Sequence, residues 1–110
     1  MVKLSEQQIQ NKMVKHLESK NYYVVKIIKA NKSGVPDILF CKDGKFCAIE
    51  VKAKGKKNNT TELQKLHLEM IRNSGGIAIV SDDVEEIKEI FKWKDFGNGL
   101  KYQLKEHGLK

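Results

Sequence analysis

The chain has 110 residues, 21 Lys and Arg against 14 Asp and Glu, and a formal charge of +7. That length holds one domain with one modest core, since two separate cores would each bury too little surface to fold. No apolar run reaches the roughly 18 residues of a membrane span. The opening residues carry no secretory h-region, and two cysteines and one proline exclude a disulfide scaffold or a Pro-rich chain. A cytoplasmic setting without membrane is therefore expected. The charge is lopsided: residues 1–57 hold 13 lysines and five acids, and the remainder has a balance of −1. A localised basic surface attracts polyanions, nucleic acid above all, although a lysine-rich face also serves solubility alone.

In chain order, residues 5–20 read as a helix. Ser5 and Gln8 form a capping box, Leu4 and Ile9 a hydrophobic staple, and Ile9, Met13 and Leu17 an apolar face. Asn21 is placed to stop it in a left-handed conformation. Tyr22 to Lys29 is β-branched and aromatic and reads as a strand. A loop with Gly34 and Pro36 follows. Two more strands, Asp37 to Lys42 and Lys45 to Ala53, flank Asp43-Gly44, a strong hairpin signal. A basic loop leads to a second helix, Thr61 to Ser74, capped by Thr61 and Gln64. Its expected apolar face is Leu63, Leu66, His67, Met70 and Ile71, and Gly75-Gly76 ends it. Ile77 to Val80 reads as a short buried strand and Asp82 to Trp93 as a third helix with acids in its first turns. Residues 95–110 are unassigned, with a turn at 96–99 and a candidate edge strand at 100–104. The order α-β-β-β-α-β-α, with strands two and three apolar on both faces, predicts an α/β fold: one domain over residues 1–110, its core about 4–93, built on a mixed sheet with helices on both sides.

If Asp43-Gly44 is a two-residue loop, paired positions sum to 87. Phe40 then faces Cys47, Ile38 faces Ile49, and Asp37 faces Glu50. Opposed residues share a face, their Cβ atoms about 4.5–5.5 Å apart. Two carboxylates that close repel unless a cation lies between them, and Mg²⁺ suits a carboxylate pair. Alternation puts Lys52 on the face of Glu50. A solvent-facing Glu-Lys pair would be the plain reading at an edge strand, but Ala48-Ile49-Glu50-Val51 reads as a central one, where a lone acid is costly. Cys41 and Cys47 fall on opposite faces and cannot join in a disulfide; both are expected to be reduced core residues. His16 and His67 lie on helix faces and fit packing roles, and no Cys/His spacing fits zinc.

Val35-Pro36-Asp37 followed by Glu50-Val51-Lys52 resembles the PD-(D/E)XK nuclease signature. With Ser33-Gly34, Asp43-Gly44-Lys45, Thr61 to Gln64, Gly75-Gly76 and the opening Ser5 to Gln10, the ordered set over about residues 4–90 resembles the stand-alone virus-type replication-repair nucleases (VRR-NUC). The resemblance implies a restriction-endonuclease-like core and a Mg²⁺- or Mn²⁺-dependent endodeoxyribonuclease. It implies structure-selective cutting of branched DNA such as four-way (Holliday) junctions by a homodimer, often phage-encoded. The alternatives are a sequence-specific restriction-type enzyme and a non-catalytic basic DNA-binding module on the same fold. By position, Asp37, Glu50 and the Val51 backbone carbonyl would ligate the metal, and Lys52 would orient water or stabilise the transition state. Glu6 would be an accessory ligand, or simply a helix-dipole carboxylate, and Gln64 a site residue as well as a cap. Lys54, Lys56 and Lys57 would contact DNA phosphates, unless they are merely a solvated loop. Lys26, Lys29, Lys32 and Ser33 stand on the approach. Few arginines and no interleaved aromatics argue for reading shape and backbone rather than bases.

Overall fold

Hydrogen bonding at the first cap fixes where the chain turns helical. The Gln8 N–H donates to Ser5 Oγ (3.1 Å) and the Ser5 N–H donates to Gln8 Oε1 (2.8 Å), which closes the expected capping box. The structure, a computed structural model, describes residues 3–92. The elements are α1 (Glu6–Ser19), β1 (Tyr23–Lys26), β2 (Ile38–Lys42), β3 (Lys45–Val51), a 3₁₀ turn (Lys57–Asn59), α2 (Glu62–Asn73), β4 (Ile77–Ser81) and α3 (Val84–Ile90). Asn21 takes φ +65° just after α1, the left-handed stop that the sequence predicts.

The four strands form one mixed sheet in the order β1-β2-β3-β4, with β1, β2 and β3 antiparallel and β4 parallel to β3. Asp43 (φ +51°) and Gly44 (φ +78°) both occupy the left-handed region that a two-residue I′ hairpin turn needs. The turn sets the register: Lys42 opposite Lys45, Phe40 opposite Cys47, Ile38 opposite Ile49. Side-chain alternation then sorts the sheet into two faces. One carries Ile38, Phe40, Cys47, Ile49, Val51, Ile77 and Ile79, packed under Ile9, Met13 and Leu17 of α1 and Ile87, Ile90 and Phe91 of the α3 end. Each such side chain, fully buried, contributes about 1.5–3 kcal/mol, so this face dominates stability. The other face meets α2 through Leu68 on Ala48 and Ala78, small residues that let the helix lie close. No helix among the described residues is long and apolar enough to cross a membrane.

Four expectations need correction. The first strand stops at Lys26 rather than Lys29, and β3 stops at Val51 rather than Ala53. The third helix starts at Val84 rather than Asp82 because Asp83 is its cap, accepting from the Glu85 N–H at 2.9 Å, and it ends at Ile90, short of the expected Trp93, which lies outside the described residues. Cys47 is buried, but Cys41 is exposed rather than in the core. The fourth concerns α2: Leu63, Leu66 and Met70 are exposed, and Leu68 is the buried residue. The inward stripe is Gln64, Leu68 and Ile71, headed by a polar residue, so hydrophobicity ranks the wrong face. The turn at 96–99 and the strand at 100–104 lie outside the described residues.

Candidate metal and phosphate site

The hairpin brings the acids together as its arithmetic requires. With a two-residue turn, Lys42–Lys45, Phe40–Cys47 and Ile38–Ile49 are the hydrogen-bonded pairs, so Asp37 and Glu50 fall at a non-hydrogen-bonded position, where side chains approach most closely. The main chain of Asp37 is held from the other side, where the Ile27 N–H donates to its carbonyl (2.8 Å). Its side-chain Oδ2 accepts from the Val51 N–H at 2.8 Å. One step further, Pro36 would oppose Val51. Proline has no N–H, so the ladder cannot satisfy the Val51 carbonyl, and that oxygen stays available beside the acids.

Glu50 is 3% exposed and Lys52 9%. Lys52 Nζ stands 3.7 Å from Glu50 Oε2, an ion pair too long for a good hydrogen bond. Gln64 closes the gap. Its Oε1 accepts from Lys52 Nζ (2.8 Å) and from the Thr61 N–H (2.9 Å), while its Nε2 donates to Glu50 Oε2 (3.1 Å). The capping residue of α2 and the site residue are thus one side chain working in both roles. Burial, and then the charge and hydrogen bonding of Asp37, push the Glu50 carboxyl up to about 8, against a smaller opposing effect of Lys52. Glu6 is exposed in the first turn of α1, yet its charge also reaches Glu50 and raises it.

A divalent cation fits this donor set. Two carboxylates and a carbonyl are hard oxygen donors, and Mg²⁺ characteristically takes one or two carboxylates and completes its shell with water and phosphate. A buried acid held at about 8 beside a second acid marks a site short of positive charge. No group of three or more His, Cys, Asp or Glu capable of holding a metal occurs among the described residues. Among those residues, Asp37 and Glu50 would therefore be the only side-chain ligands, and Glu6 would act at a distance.

The basic residues divide. Lys54 Nζ bonds Asp83 Oδ2 at 2.9 Å, the Gly55 N–H donates to Asp82 Oδ2 at 2.8 Å, and Lys57 Nζ pairs with Glu86. Glu86 in turn accepts from Ser81 Oγ at 2.6 Å. The loop after Lys52 is therefore strapped to the β4–α3 turn, and the charges of Lys54 and Lys57 are met by acids. Lys26 Nζ donates to Asn11 Oδ1 at 3.0 Å. Lys29, Lys32, Ser33 and Lys56 are exposed. Gly34 (φ +86°) carries its loop against α2, where an added Cβ would lie 2.7 Å from Leu63 Cγ. The acid strap has no local sequence signal, since its partners lie 27 to 29 residues apart. Compared with known proteins, the chain matches no family model and no curated sequence.

Proposed function

We propose that this chain is a metal-dependent endonuclease on a PD-(D/E)XK, VRR-NUC-like core, hydrolysing DNA phosphodiester bonds with a preference for branched DNA such as four-way junctions. The observation that supports it is the convergence of Asp37, Glu50, Lys52 and Gln64 at one end of the β2–β3 hairpin. A buried glutamate beside a half-buried aspartate, with a lysine held alongside, serves no packing purpose and is costly without a cation.

Asp37 and Glu50, with the Val51 carbonyl, would hold Mg²⁺ or Mn²⁺, which supplies charge neutralisation on the phosphate and acidifies bound water. Lys52, whose ammonium donates to Gln64 Oε1 and lies 3.7 Å from Glu50 Oε2, would orient the attacking water or stabilise charge on the phosphorane. Gln64 keeps the Lys52 ammonium in place and holds the Glu50 carboxyl in its rotamer. Lys56, Lys29, Lys32 and Ser33 offer charge and donors to flanking phosphates, and such contacts fix position without reading bases. A homodimer follows from the resemblance and from one physical requirement, that two strands cut symmetrically need two sites.

The test is a panel of linear, nicked, flapped and four-way DNAs incubated with Mg²⁺ or Mn²⁺. The reading predicts metal-dependent cleavage, strongest on branched substrates, that is lost in Glu50→Ala and in Lys52→Ala while far-UV circular dichroism is unchanged. Cleavage that survives both substitutions contradicts the site. Sequence-specific cutting of linear duplex would favour a restriction-type enzyme, and salt-sensitive binding without cleavage a DNA-binding module.

A further inference from the structure

We propose that Ile28, at the exposed tip of the loop between β1 and β2, is an apolar wedge that enters the opened base stack at a DNA branch point and so selects branched over linear DNA. The inference rests on the DNA-directed reading above and names the side chain that would give it a branch preference.

An isolated exposed aliphatic side chain asks for no explanation by itself; the place of this one does. Ile28 is 84% exposed, more than any other large apolar side chain among the described residues. It stands in the loop that delivers Asp37 to the site. The β1–β2 register ends with Lys26 opposite Ile38, and one step on the Ile27 N–H donates to the Asp37 carbonyl at 2.8 Å. Opposed Cα atoms lie about 5.5 Å apart and chain neighbours about 3.8 Å, so the Cα of Ile28 is within about 9 Å of that of Asp37. Bases rise about 3.4 Å per step, which puts Ile28 within about three nucleotides of a phosphate held at the acids.

The loop is fixed at its base and bare at its tip. Lys26 Nζ donates to Asn11 Oδ1 at 3.0 Å, and Pro36 is buried. Gly34 packs so closely on α2 that a Cβ there would also meet His67 Cδ2 at 3.1 Å. Residues 28–33 between these anchors are all exposed. Isoleucine is β-branched and stiff at χ1, so the side chain has little freedom to lose on insertion.

Charge says what the tip meets. From Lys26 to Ser33 the chain carries three lysines and no acid. Lys54 and Lys57 are pinned by Asp83 and Glu86, but among the described residues neither Lys29 nor Lys32 meets an acid. An apolar side chain set among unneutralised lysines suits a polyanion with an apolar interior: the lysines take phosphates and the isoleucine takes the face of a base. Apolar wedges, isoleucine among them, part base steps in this way in other DNA-binding proteins. In continuous duplex the insertion carries the cost of unstacking. At a branch point the stack is already interrupted, and the same contact costs less. The lysines therefore raise affinity for every DNA alike, while Ile28 adds affinity where the stack is open, which makes the difference a selectivity.

The experiment measures binding of the full chain, in EDTA, to a four-way junction and to a linear duplex of matching sequence by fluorescence anisotropy. A 2-aminopurine at the branch point, brighter when unstacked, is the second reading. The wild type is expected to prefer the junction and to brighten the probe. Ile28→Ala should lower that preference at least about fivefold, with linear-duplex affinity within about twofold of wild type and the brightening lost. Ile28→Leu should keep both readings, and Lys29→Ala should weaken both DNAs alike. Because Ile28 is almost wholly exposed, its variants should show unchanged far-UV circular dichroism. A wild type that binds the two DNAs equally overturns the proposal. So does a preference undiminished in Ile28→Ala, and so does an Ile28→Ala loss of the same size on both DNAs. All of this is read without cleavage. A chain with an Ile28-dependent preference that never cuts DNA keeps this inference and loses the nuclease reading; one whose Ile28→Ala variant still cuts branched DNA selectively does the reverse.

Discussion

Replacing Glu50 with glutamine isolates the electrostatic cost on which the site rests. Glu50 has an ordinary value of 4.5 and is held at about 8 in the folded protein, first by burial and then by Asp37. The proton is bound more tightly in the native state than in the unfolded chain. Between those two values the unfolded chain loses its proton while the native state keeps it, so stability is full below about pH 4.5 and falls as pH rises toward 8. Each unit is 1.36 kcal/mol, which bounds the loss between pH 5 and pH 8 at about 3–4 kcal/mol. For a domain this small that is about 10 °C or more in Tm. The glutamine amide would keep the shape without the charge. The assay is thermal melting with EDTA at pH 5, 6.5 and 8 for wild type and Glu50→Gln, reading the difference between the two proteins. Other groups cancel in that difference, including His16, which burial shifts in the opposite sense. The wild type should lose stability relative to Glu50→Gln as pH rises, and millimolar Mn²⁺ should restore it at pH 8 in the wild type only. Parallel pH profiles for the two proteins would refute the reasoning.

Gly34→Ala sets a Cβ 2.7 Å from Leu63 Cγ at φ +86°; with left-handed strain of about 1–2 kcal/mol, it should cost about 1–3 kcal/mol in urea unfolding. Gln64→Ala removes the acceptor of Lys52 and the donor to Glu50 together with half of a capping box. It should lower cleavage about 10- to 100-fold and cost about 1 kcal/mol of stability, whereas loss of stability with full activity would confine Gln64 to capping. Asp83→Asn with Glu86→Gln keeps both side-chain shapes but frees Lys54 and Lys57 from their acids. DNA affinity by fluorescence anisotropy should then rise and its salt dependence steepen by up to about two phosphate equivalents; unchanged binding would show that neither lysine faces DNA.

How much of this was legible in the sequence follows from the range of each interaction. The Asp43-Gly44 turn is local and its register propagates with period two, so one dipeptide placed Asp37 opposite Glu50 and Lys52 alongside. Both capping boxes were legible for the same reason. The orientation of α2 was not. Leu63, Leu66 and Met70 form a better apolar stripe than Gln64, Leu68 and Ile71, and only the small residues Ala48 and Ala78 beneath the helix, with the site drawing in Gln64, decide the rotation. Nor was the pinning of Lys54 and Lys57, whose acid partners arrive through the β4–α3 turn. A lysine run reads as free charge until the fold supplies its counterions.

The central claim, that Asp37 and Glu50 together take up a divalent cation, is tested most directly by titrating Mn²⁺ into the protein by calorimetry at pH 7 in two buffers of different ionisation enthalpy. Glu50, held at about 8, carries its proton at that pH, so uptake should release close to one proton per ion, fall toward none at pH 9, and vanish in Asp37→Asn. No uptake by the wild type at millimolar Mn²⁺, or undiminished uptake by Asp37→Asn, would contradict it.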